Sequence, residues 1–112
     1  METSTPRPLT SSEVALVRWL LEHGEPHALC YLESLSGLSV VGERPSDCAS
    51  LDFVTGGSGP MDILADFEIR GRSGGVFLFA REGRLAGLEV YSFEASITEL
   101  PSPDMLVSLP AS

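Results

Sequence analysis

Asp62-Ile63-Leu64-Ala65-Asp66-Phe67-Glu68-Ile69-Arg70 alternates apolar and charged residues, with Ile63, Ala65, Phe67 and Ile69 falling to one side and Asp62, Asp66 and Glu68 to the other. Side chains of a strand point to opposite faces in turn, so this period of two predicts a strand with one covered and one wet face. Downstream, Val76-Phe77-Leu78-Phe79-Ala80 is a continuous apolar run between Gly74-Gly75 and Glu82-Gly83. Such a run suits a central strand buried on both faces or covered by a tail. Leu85 to Phe93 forms the next strand, with Leu88, Val90 and Ser92 on one side and Glu89, Tyr91 and Phe93 on the other. Arg81-Glu82-Gly83-Arg84 is short enough for a hairpin turn with glycine at a positive φ. Hairpin-length links require antiparallel neighbours.

Working outward, Leu38 to Val41 and Ser50 to Val54 are shorter strand candidates, the second setting Leu51 and Phe53 against Asp52. Gly71 to Gly75 and Gly56 to Pro60 read as looser connections. Toward the N-terminus the period becomes helical. Thr10 and Glu13 have capping-box spacing, and Val14, Val17 and Leu21 recur beyond them, predicting a helix over 12–23 that Gly24 ends in the left-handed conformation. Glu22 and Arg18 stand one turn apart on its solvent side. Pro26 suits the first turn of a second helix, whose stripe is Ala28, Leu29, Tyr31, Leu32 and Leu35, with Gly37 closing it. The two-residue link makes the pair a helical hairpin. The tail, Leu100-Pro101-Ser102-Pro103-Asp104-Met105-Leu106, has two prolines that exclude it from a strand interior, but it is too apolar to be free, so it is expected to lie back over the domain with a helical turn at Pro103. The expected architecture is α+β: an N-terminal helical hairpin on one face of a four- to five-stranded antiparallel sheet, with a proline-rich C-terminal tail. Residues 1–9 are expected to be a disordered tail and 10–112 one domain.

The chain has 112 residues, enough for one core, and its 16 Asp and Glu against 7 Arg with no Lys leave a net charge of −9. That balance argues against nucleic acid, whose binding needs cations to neutralise phosphates, and against anionic membrane surfaces. No apolar run approaches the roughly 20 residues of a membrane span. Met1 to Thr10 has no apolar core of a signal peptide, so a cytoplasmic location is expected, with Cys30 and Cys48 as thiols.

Groups that carry chemistry are sparse. His23, His27 and Cys30 are broken by Gly24 and Pro26, which deny the histidines a common helical face, so no metal site and no cofactor is expected. Cys48 beside Asp47 lacks the cation that would lower its pKa, and a small half-buried residue is the plainer reading. Gly56-Gly57-Ser58-Gly59 lacks the lysine and helix start of a phosphate cradle. Trp19, Tyr91 and Phe93 are core residues or interface anchors. Asp52, Asp66, Glu68 and Glu89 are expected to make the open sheet face negative, and Asp52 is placed beside Asp66 and Glu68 as a neighbour that an acid–base pair would need.

Val41-Gly42, Cys48-Ala49-Ser50-Leu51-Asp52-Phe53, Leu64-Ala65-Asp66, Leu78-Phe79-Ala80-Arg81-Glu82-Gly83-Arg84-Leu85, Leu88-Glu89-Val90-Tyr91 and Leu100-Pro101-Ser102-Pro103 together resemble a family of short uncharacterised bacterial proteins. Its members read Val-Gly, a Cys-x-Cys-x-Cys-Pro-Ser-Val-Asp-Phe segment, an Ala-Asp strand, a Leu-Phe-Ala-x-Asp-Gly-Arg-Leu hairpin and a closing Leu-Pro-x-Pro. The resemblance implies a single bacterial domain and assigns no chemistry. Here Arg44, Ser46 and Cys48 occupy the three thiol positions, and a lone thiolate does not hold a tetrahedral metal.

The expected function is therefore a non-catalytic protein-binding module of the toxin-neutralising kind, meeting a basic partner through Asp52, Asp66, Glu68, Arg81, Arg84, Glu89 and Tyr91. Two alternatives stand beside it. One is a small hydrolase or thiol enzyme using Cys48 or the carboxylates Asp52, Asp66 and Glu68. The other is a structural homodimer sealed by the apolar tail with Tyr91 and Phe93.

Overall fold

The structure, a computed structural model, describes residues 7–41, 51–53, 59–71, 73–92 and 101–108. Helix α1 spans Ser11–His23, and the capping box that starts it is complete: the Glu13 amide donates to Thr10 Oγ1 at 3.2 Å and the Thr10 amide to Glu13 Oε1 at 2.8 Å. Order begins earlier than the sequence suggests. Strand β1, Arg7–Pro8, pairs with β2, Ser39–Val40, and Arg7 forks onto Glu13 through two 2.9 Å hydrogen bonds. The Arg7 guanidinium holds the Glu13 carboxyl below the usual range, against the opposing effect of its burial. The arm is thereby tied to the helix start.

The second helix is wound differently from the expectation. Pro26–Gly37 is a 3₁₀ helix, unusually long for its type. Leu32, Leu35 and Leu38 recur every three residues, the 3₁₀ period, so this winding lines them up toward the core, whereas an α winding would rotate each about 60° from the last. Leu35 and Leu38 are buried, but Leu29, at the start of the same three-residue row and on the expected apolar stripe, is 53% exposed. Gly24 is likewise not left-handed, at φ −89°. Glycine is needed there for space, because a Cβ would lie 2.2 Å from the Leu64 carbonyl oxygen.

The main sheet is antiparallel, with strand order β3-β6-β5-β4-β7, where β3 is Leu51–Asp52, β4 Asp62–Ile69, β5 Gly74–Arg81, β6 Arg84–Ser92 and β7 Leu106–Ser108. The apolar run of β5 is indeed central. The tail makes its helical turn at Pro103–Met105 and then, past both prolines, supplies edge strand β7 against Phe67–Ile69. Between β5 and β6, Glu82 and Gly83 have φ of 54° and 77°, the two left-handed residues of a tight hairpin turn.

One face of this sheet packs on the helices. Leu16, Val17, Leu20 and Leu21 of α1 meet Leu64, Val76, Leu78, Leu85 and Leu88 in one core. The alternation of β4 holds from Ala65 to Ile69 and breaks before it. A bulge at Leu64 turns that residue into the core, fully buried, and leaves Ile63 38% exposed. The Leu64 carbonyl then accepts the Glu25 amide at 2.8 Å, so the bulge is where the interhelical link docks.

Candidate functional site

Strand register places five of the expected binding residues, Asp52, Asp66, Glu68, Glu89 and Tyr91, on the face turned away from the helices. Pairing of Asp66 with Phe77 and Phe77 with Glu89 makes one cross-strand row; Glu68, Gly75 and Tyr91 make the next, and Asp52, Gly87 and Phe79 a third. Opposed residues share a face, so all nine belong to one surface. Its character differs from the purely wet and negative face expected. A stripe of rings crosses its middle, with Phe77 centred 5.8 Å from Phe79 and 6.1 Å from Tyr91.

Two glycines seat these rings. A Cβ on Gly75 would stand 2.6 Å from the Tyr91 hydroxyl oxygen, and one on Gly87 would stand 2.7 Å from Phe79 Cζ. Each ring therefore lies across the strand beside it. Phe79 is 5% exposed despite pointing away from the core, while Phe77 and Tyr91 are half-buried. The Arg81 guanidinium sits over Phe79, 5.4 Å from the ring centre, in a cation–π arrangement. Its Nε is buried and has no hydrogen-bond partner.

The carboxylates fringe the stripe. Asp66 and Glu68, both exposed, are two residues apart on one strand face, about 7 Å. Burial raises the Asp66 carboxyl above the usual range and the charge of Glu68 raises it further. The Tyr91 hydroxyl is raised by burial first and then by Asp66 and Glu68. Asp66 and Tyr91 thus both sense negative charge on this face, Asp66 that of Glu68 and Tyr91 that of both carboxylates.

Asp52 does not join them. Two strands separate β3 from β4, where the acid–base reading needs them adjacent, so Asp52 and Asp66 stand about 14 Å apart across the sheet, beyond the spacing of paired catalytic carboxylates. The strand order follows from which hairpins close, and periodicity carries no information on it. Arg84 also departs, lining an open groove of about 400 Å³ with Glu33, Ser36 and Leu38 at the end of the 3₁₀ helix. A second groove of about 570 Å³ lies between that helix and α1, with Arg18 and Glu33 at its sides. Neither touches the ring stripe.

Cys48 and Phe93 lie outside the described residues, as do Arg44, Ser46 and the glycines at 56 and 57. Cys30 is exposed with a free thiol. Trp19 is a core-side residue, stacked on His23 at 4.2 Å and edge-on to Phe67 at 4.9 Å. His27 reaches Asp62 at 3.1 Å on the surface, and no ion pair joins Arg18 to Glu22. Leu106, which supports the homodimer reading if free, is 7% exposed in its own core. Among the described residues there is no group of three His, Cys, Asp or Glu placed to hold a metal ion, and no helix long and apolar enough to cross a membrane.

Phe77 and Phe79 belong to this candidate surface and are absent from the residues that the sequence reading assigns to it. The signal was present in Val76 to Ala80, since in a continuous apolar run every second residue faces away from the helices. No family model matches the chain, and no curated protein or solved structure is significantly similar to it.

Proposed function

We propose that this chain is a non-catalytic protein-binding module whose docking surface is the outer sheet face and whose partner is basic. The observation that carries this reading is the half-buried Phe77–Tyr91 ring pair bordered by the exposed carboxylates Asp66 and Glu68. Aromatic residues supply contact area at low entropic cost and are over-represented among the residues that dominate binding energy. Charge around them selects the sign of the partner and speeds encounter. A net charge of −9 extends the same preference over the whole molecule. Size and charge suit neutralisation of a basic enzyme or toxin in the cytoplasm of a bacterium, a role that rests on an analogy of charge and size only.

The test compares the protein with an Asp66→Asn, Glu68→Gln double variant in capture from the native cell extract at 50 and 300 mM salt, which differ about 2.5-fold in screening length. A basic partner retained by the first, lost by the double variant and released by salt supports the reading. Retention indifferent to both changes overturns it.

A further inference from the structure

The ring stripe contains its own example of how a cation is received. Arg81 lies over Phe79, so one guanidinium–ring contact is already made on this face. Two residues back along β5, Phe77 presents the same ring type on the same face and leans toward Tyr91, with their planes tilted by 48°. Phe77 is opposed on β4 by Asp66, and Glu68 lies across Gly75 from Tyr91. The close approach of Tyr91 to Gly75 seats that ring against the strand beside Phe77. From this arrangement we infer that the outer face is a seat for an arginine side chain of the basic partner, its guanidinium stacked on Phe77 and Tyr91 and hydrogen-bonded to Asp66 and Glu68.

The inference rests on the docking reading above and specifies the group recognised. Charge complementarity favours any cation, but two features favour guanidinium over ammonium. A planar guanidinium stacks face-on over rings and is weakly hydrated, so it is readily taken onto a half-buried aromatic surface. Its fixed fork of donors also spans two carboxylates, whereas a lysine ammonium offers a compact point charge. Binding would place positive charge beside two carboxylates that have no cationic partner among the described residues.

The experiment titrates the ¹⁵N-labelled full chain at low salt with a capped tri-arginine peptide and, separately, a capped tri-lysine peptide. The expected result is at least fivefold tighter binding of the arginine peptide, with the largest amide shifts at residues 66, 68, 77 and 91. Phe77→Leu should abolish that preference while leaving a common, weaker, salt-sensitive affinity. Phe77→Met serves the same end should the leucine variant lose its dispersed spectrum. Equal affinity for the two peptides, or a preference that survives loss of the Phe77 ring, overturns the arginine seat and leaves the acidic docking face standing. Shifts confined to other parts of the molecule, or binding unchanged in the Asp66→Asn, Glu68→Gln variant, overturn both.

Discussion

The two faces of β5 differ in kind although both are apolar. Toward the helices it sends Val76, Leu78 and Ala80, all with no exposed surface, into a core made mostly of aliphatic side chains from α1, β4 and β6, with Phe67 among them. Away from them it sends Phe77 and Phe79, rings laid over the strands and fringed by carboxylates. The first arrangement removes hydrocarbon from water on every side and serves stability. The second sets the half-buried Phe77 ring next to charge, an arrangement that contributes less to folding and that the proposed function assigns to recognition. Apolar content alone does not distinguish the core from the proposed docking surface; what lies opposite each residue does.

The sharpest test of that contrast is a pair of substitutions on neighbouring residues. Leu78→Ala should cost about 2–5 kcal/mol in urea unfolding, since a buried leucine leaves a cavity, while Phe77→Leu should cost less than about 1 kcal/mol. Comparable losses would erase the distinction between the faces. Next in size is Gly75→Ala, whose Cβ would stand 2.5 Å from the Phe67 carbonyl oxygen and 2.6 Å from the Tyr91 hydroxyl. Backbone must shift and the ring must lift, at about 1–3 kcal/mol, with a change in the Tyr91 near-ultraviolet signal. An unaltered melting curve and signal would contradict the seating of the ring.

A third prediction sets the two anionic sites against each other by pH. Glu13 titrates below its ordinary value in the folded protein, so the stability it adds is present above the unfolded value and is lost as pH falls through the folded one. Asp66 titrates above its ordinary value, so its contribution has the opposite sign: it is present in acid and is lost as pH rises through the folded value. Glu13→Gln should cost about 1 kcal/mol at neutral pH, discounted for the exposure of Arg7, and flatten the acid decline in melting temperature. Asp66→Asn should steepen that decline. The smallest effect is at the hairpin tip, where Glu82 holds φ 54°. Glu82→Asn should stabilise by up to about 1 kcal/mol, because asparagine tolerates the left-handed region better.

Much of the fold was legible residue by residue. The Thr10–Glu13 box marked the helix start, the alternation from Ala65 to Ile69 marked a half-covered strand, and Glu82-Gly83 marked the hairpin. The readings that shifted all depended on contacts between segments distant in the chain. Arg7 is ordered through Glu13 and β2, and Leu64 is turned inward where the Gly24-Glu25 link presses on β4. The separation of Asp52 from Asp66 arises in the same way, from strand order.

What the sequence alone determined is local: which segments wind or extend, which side of each strand is apolar, and that the molecule carries excess negative charge. These follow from periodicity, caps and turn residues, which act within a few neighbours. What only the tertiary structure decided is which residues stand opposite one another. Cross-strand register put Phe77 between Asp66 and Glu89, and laid Tyr91 over Gly75, because pairing of whole strands is selected by the packing of the entire core rather than by any residue's own preference.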